Sequence, residues 1–170
     1  MNTRLLPRQQ RSAESIAKIL GAAEWLIARD GQAGFTSAEL AAQARMSIGR
    51  VYYWYLDLDV VLDAVVDRQI DDLTAMSQPT TPDETATLLQ LLIRQHPAII
   101  VLAVSGPPEG RRARLIDALD TTLHQVLGHH PHALAALLGV LVNHHRLTAS
   151  QQRNERAQLV TVIETLQHLL

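Results

Sequence analysis

There is no cysteine among the 170 residues. Disulfides, thiolate nucleophiles and cysteine-ligated metals are therefore excluded, a usage that fits a cytoplasmic protein. No window approaches the ~18 unbroken apolar residues of a membrane span. The opening residues 1–15 lack an apolar signal core, so export is not expected. Aromatics are scarce, with one Phe, two Trp and three Tyr. Neither a nucleophile–base arrangement nor a glycine-rich phosphate loop stands out, nor does a carboxylate pair at active-site spacing. There is no HExxH zinc motif either. No enzyme is expected, and no cofactor is implied. The formal net charge is only −2, which by itself does not advertise a polyanionic partner.

Apolar residues make up 47% of the chain, enough for a sizeable core in a globular protein. Charge is unevenly placed. Residues 1–58 carry seven basic and five acidic side chains, net +2, and the remainder eight basic and twelve acidic, net −4. Residues 1–11 are polar, with Arg4, Arg8 and Arg11. They read as a disordered tail, either merely solvated or a basic arm that adds phosphate or minor-groove contacts. A first helix is expected from near Ser12, with Ile16, Ile19, Leu20, Ala23, Leu26 and Ile27 as its stripe. Asp30-Gly31 ends it, Gly31 taking the left-handed stop position. Trp25 falls near the stripe's edge and reads as packing.

The most informative stretch is Phe35 to Leu62. Thr36-Ser37-Ala38-Glu39 is a capping box in which the Thr hydroxyl accepts from the amide three residues on and the Glu reaches back to the amide of Thr36. Phe35 and Leu40 have the spacing of a hydrophobic staple. A short helix over about Ser37 to Ala44 follows, then a second over about Ile48 to Tyr55, capped by Ser47. Four of the six aromatics fall between Tyr52 and Tyr55. Such a helix is ill suited to ordinary solvent exposure.

Phe35-Thr36, Leu40-Ala41, Ala44, Met46-Ser47, Gly49, Val51-Tyr52, Tyr55, Asp57, Asp59 and Leu62 together resemble the DNA-binding domain of TetR-family transcriptional regulators. The resemblance covers roughly the first 65 residues. It implies an all-α chain of about nine helices: a three-helix head over 1–58 with a helix-turn-helix, and a helical ligand-binding and dimerisation body over 59–170. The second helix of the motif would enter the major groove, where only leading side chains reach base edges. Arg50, in its first turn, can offer a bidentate pair to guanine. Gly49 lets the backbone approach closely, and Ser47, Thr36 and Ser37 can present hydroxyls and amides to phosphates. Family correspondence puts Tyr52, Tyr53 and Trp54 at or near DNA, with Val51 and Tyr55 facing the head's core. Two positions depart from the family. Arg45 stands where the turn often has glycine, and Leu58 where a phosphate-contacting lysine usually stands. They support an alternative reading, a helical sensor or interaction protein that has lost sequence-specific DNA binding.

Helix four is expected from Asp57 to about Gln78, with Leu62, Val65, Val66, Leu73 and Met76 on one face. Thr81-Pro82-Asp83-Glu84 is a second capping box, opening helix five to about Gln95, which Pro97 breaks or kinks. Ala98 to Val104 is uninterruptedly apolar; it reads as helix because no second strand candidate exists to pair with it. Residues 105–108 form a loop. Helix seven runs from about Glu109 to Leu127, with Leu115, Leu119, Leu123 and Val126 as its stripe. Helix eight lasts from Pro131 to about Arg146 and is apolar all round between Ala133 and Val142, which requires burial all round. Ala135, Ala136 and Gly139 are small enough for close approach by a neighbour. Helix nine carries Leu159, Val162, Ile163 and Leu166 at 3-4 spacing. Two such helices from each of two chains would form a four-helix dimer interface; the alternative is a monomer with helix eight central. His129, His130 and His132 occupy a connecting loop without converging ligands, so no metal site is expected. The resemblance implies a mainly apolar effector pocket in the body, with polar groups from around Arg94, His96, His124, Asn143 and His145. The expected partners are double-stranded operator DNA, a second copy of the chain and a small apolar effector, with no membrane and a nucleoid-associated location in the cytoplasm.

Overall fold

The computed structural model describes residues 7–32, 35–76, 78–104 and 109–127. The expected helices eight and nine lie outside the described residues. So do the interface residues Ala135, Ala136, Gly139, Leu159, Val162, Ile163 and Leu166, the pocket candidates Asn143 and His145, the histidines 129, 130 and 132, and the loop 105–108. Among the described residues the chain is wholly helical, with seven helices and no strand. It divides into two compact units, Met1–Val65 and Val66–Leu170.

In the first unit, α1 spans Pro7–Asp30. It starts earlier than the Ser12 expected from the stripe, so residues 7–11 are helix and not tail. Proline suits the first helical position, where no amide is needed, and Arg and Gln are good helix formers. Ile19, Leu20, Ala23, Leu26 and Ile27 are buried. Gly31 stops the helix at φ +72°, its amide donating to Ile27 O at 2.9 Å. Trp25 corrects the sequence reading, being 45% exposed. The Arg29 guanidinium lies 4.3 Å from its ring centroid and is itself paired with Asp30, so a cation–π contact covers the ring in place of core packing.

Helix α2, Ser37–Ala44, packs on α1, and α3, Ile48–Trp54, packs on α2. Phe35, Leu40, Ala41, Ala44, Val51 and Tyr55 are buried. Thr36 caps α2, its Oγ accepting from the Glu39 amide at 3.3 Å. The Glu39 carboxylate accepts from the Thr36 hydroxyl at 2.8 Å, where the capping-box pattern anticipated the Thr36 amide. Helix α4, Leu58–Ala75, begins at Asp57, whose Oδ1 accepts from the Val60 amide at 2.9 Å. It ends before the expected Gln78, and Val61, Leu62 and Val65 bury its first turns.

In the second unit, α5 spans Pro82–Gln95, α6 Pro97–Val104 and α7 Arg111–Leu127. Thr81 caps α5, accepting from the Glu84 amide at 3.2 Å, while Glu84 accepts from the Thr80 amide and hydroxyl at 2.8 and 2.9 Å. Such a cap contributes about 1 kcal/mol. The apolar run that periodicity cannot assign is helix. Ala98, Ile99, Ile100, Leu102 and Ala103 are all buried, as an all-apolar helix demands. Ile99, Ile100 and Ala103 share a core with Leu73 of α4, Ala86, Leu88, Leu89 and Leu92 of α5, and Leu119 and Leu123 of α7. Gly110, at φ +63°, turns the chain into α7. No single described helix is long and apolar enough to cross a membrane.

Candidate nucleic-acid interface

The geometry of the motif is set by how α2 stops. Arg45 is left-handed at φ 56°, ψ 46°. Its amide donates to Ala42 O at 3.1 Å, and the Met46 amide to Ala41 O at 2.9 Å. These two bonds are a Schellman termination. Arg45 thus performs the role that glycine usually fills, against a left-handed preference of about 1–2 kcal/mol for a side chain. The turn keeps its form despite the substitution. Ser47 then caps α3, its Oγ accepting from the Arg50 amide at 3.2 Å.

Helix α3 is two-faced. Val51 on the helix and Tyr55 at its end are buried, while Tyr52 is 44% and Tyr53 75% exposed. Tyr52 is oriented by its hydroxyl, which lies 2.9 Å from Ser37 Oγ and ties α3 to the first turn of α2. The bond holds Tyr52, Ser37 and Thr36 on one side of the motif. Tyr53 meets Trp54 edge-on, ring centroids 5.0 Å apart at 87°. Trp54 is half-buried, and its Nε1–H finds no acceptor. Gly49 is exposed, and a Cβ there would meet nothing within 4 Å. The free protein therefore has no steric need for glycine at this position.

Arg50 leans back toward α1, one Nη donating to Ser15 Oγ at 3.5 Å. Ser15 is buried and donates to Arg11 O at 2.9 Å. The sequence reading missed this part of α1, because it placed residues 1–11 in a tail. Had Pro7 been taken as a helix start, Arg11 and Ser15 would have fallen one turn apart on one face. Leu58 is half-buried and adds no charge, and its neighbour Leu56 is 84% exposed. Among the described residues Arg11, Lys18, Arg45 and Arg50 are in no ion pair, whereas Arg29 is held by Asp30. Cations without carboxylate partners leave this unit with positive potential available to an anion.

In the second unit, a groove of about 880 Å³ is lined by Met76, Leu88, Leu91 and Pro79, with Thr80, Glu84 and Arg94 among its polar groups. Of the pocket candidates, Arg94 lines it and the other two described residues do not. His96 Nδ1 lies 3.6 Å from an Asp72 oxygen, and His124 Nδ1 lies 2.7 Å from Thr121 O. No group of three His, Asp or Glu able to hold a metal occurs among the described residues.

No protein-family model and no curated protein matches the chain. Solved structures do. The multidrug binding protein EbrR, in complex with malachite green, aligns at TM-score 0.58 and 18% identity, over 91% of this chain and 97% of that one. A transcriptional regulator of the TetR/AcrR family from Aquifex aeolicus VF5 aligns at TM-score 0.58 and 17% identity, over 92% of this chain and 99% of that one. The chain has the fold of the TetR/AcrR transcriptional regulators.

Proposed function

We propose that the chain is a DNA-binding transcriptional regulator, a ligand-responsive repressor that binds a pseudo-palindromic operator as a homodimer. The observation that carries the reading is the outer face of α3. Tyr52 and Tyr53 stand exposed beside Gly49, Arg50 and the Ser47 cap, and no packing need in the free protein explains that face. Ser37, bonded to Tyr52, and Thr36 extend it along the start of α2. The DNA-facing set is thus Thr36, Ser37, Ser47, Gly49, Arg50, Tyr52, Tyr53 and Trp54. The head is residues 1–58 and the body 59–170. Pairing uses the stripe Leu159, Val162, Ile163 and Leu166 against the small residues Ala135, Ala136 and Gly139.

The effector is small and mainly apolar. The groove beside α5 has the volume usual for such ligands, and Arg94 gives it one cationic contact. The fold neighbours include a protein that holds malachite green, which supports an effector role for the body. A ligand acts by binding better to the state whose heads do not fit the operator. The test is selection of bound sequences from random duplex DNA by the full chain. A two-fold symmetric motif, bound with steep loss of affinity on adding salt, is the expected result. Recovery of no motif and no salt-dependent binding would leave a sensor protein without DNA recognition.

A further inference from the structure

A groove of about 400 Å³ separates α1 from α3 in the first unit, lined by Arg11, Ser12, Arg50, Tyr53 and Trp54. Every polar side chain in that lining can donate a hydrogen bond. Guanidinium and indole groups only donate, and the two hydroxyls can do either. No carboxylate lines it. The two arginines, on separate helices, are in no ion pair among the described residues, although like charges sharing one groove disfavour each other in the free protein. The Trp54 Nε1–H is buried without an acceptor, a state that costs about 1–3 kcal/mol. Arg50, an exposed residue, also reaches α1, one Nη donating to the Ser15 hydroxyl, which itself donates to Arg11 O. Two cations and two hydroxyls line one groove without a carboxylate, beside a buried indole N–H that has no acceptor, and such a lining suits an anion.

We propose that this groove, built by Arg11 and Ser12 of α1 with Arg50, Tyr53 and Trp54 of α3, takes one backbone phosphate of the bound DNA. The inference rests on the DNA-binding reading and deepens it. A helix lying in the major groove is flanked by phosphates, and contacts to them set register without reading sequence. Arg50 is then a positioning contact shared with Arg11. Base reading falls to other groups of α3.

The test uses the full chain, with Arg11→Gln and Arg50→Gln compared with the parent. Affinity is measured against a selected duplex and a scrambled one over a series of salt concentrations, and thermal melting establishes that each variant is folded. The expected result is a loss of about tenfold, the scale of one charge-assisted hydrogen bond, equal on both duplexes. The slope of log affinity against log salt should fall by about 0.9 for each head engaged. An unchanged slope in both variants overturns the proposal, and so does a loss for Arg50→Gln confined to one base-pair position. Failure of the parent chain to bind any duplex overturns the DNA-binding reading itself and the groove's phosphate partner with it. A second arm separates sources of the anion. The chain has two Trp, and Trp25→Phe leaves a single indole N–H resonance. That resonance should move with duplex and stay still in millimolar inorganic phosphate. Movement with inorganic phosphate alone, together with unchanged salt slopes, assigns the groove to a free anion and overturns the DNA contact.

Discussion

At Gly49 the demands of folding and of the proposed DNA recognition separate. The structure leaves open space for a Cβ there, and alanine is the better helix former by roughly 0.5–1 kcal/mol within a helix. Gly49→Ala should therefore melt at or above the parent's temperature. If the α3 backbone comes close to DNA, the same methyl group should weaken operator binding by tenfold or more. Thermal melting and a binding titration on one preparation check both halves, and undiminished affinity would remove the close approach. Glu84 offers a separate test, through pH. The Thr80 amide, with its hydroxyl second, holds the Glu84 carboxyl below its ordinary value of 4.5. A carboxyl depressed in the folded state binds protons less tightly there than in the unfolded chain. Its stabilising effect is present above the ordinary value and is lost as pH falls through the lowered one. Glu84→Gln should thus cost stability at pH 7, and its melting temperature should converge on the parent's as pH falls through the lowered Glu84 value. A constant gap across that range would show that the carboxylate charge is not what the cap uses.

At the scale of elements, α1 carries the simplest prediction. Gly21 sits within Pro7–Asp30, exposed, and a Cβ added there would meet nothing within 4 Å. Gly21→Ala should stabilise the chain by about 0.5–1 kcal/mol, through helix propensity and a less flexible unfolded state; denaturant unfolding at constant slope measures it. The same helix shows what the sequence made legible and what it hid. Its apolar stripe and Gly31 stop were readable because both are local signals of periodicity and backbone conformation. Its start was not, because residues 7–11 carry no apolar period and only Pro7 marks the turn. The caps at Thr36, Ser47, Asp57 and Thr81 were readable for the same local reason. Which donors reached Glu39 and Glu84 was not, since that depends on rotamers a few ångströms apart. Arg45 stood out as a departure from the usual glycine, yet it takes the left-handed geometry, with amides of the turn bonded to Ala41 O and Ala42 O. The two faces of α3 followed from the family resemblance, whereas the grouping of Arg11, Ser12 and Arg50 required knowing how α1 packs. Local chemistry reveals elements, and shared sites between distant elements appear only with tertiary structure.

At the scale of the whole molecule, the proposed DNA-binding head over residues 1–58 carries net +2, little charge with which to hold a polyanion. Two heads joined in one particle turn the second binding event into an intramolecular one, which can raise overall affinity by about 10²–10⁴ with no new contact. The function proposed for α3 therefore depends on pairing through sequence far from it. The small residues Ala135, Ala136 and Gly139 are the proposed point of close approach, and a charged side chain there would be desolvated by the partner copy. Gly139→Glu should convert the proposed dimer to monomer in sedimentation while the head's helices, remote in sequence, keep their melting signal. Operator affinity should fall by about 10²-fold or more, and the residual binding should lose its preference for a two-fold symmetric site over a single half-site. A monomeric variant that still binds the full operator at parental affinity would show that each head acts alone. In that case the uneven charge of the chain, and not its pairing, would have to account for the hold on DNA.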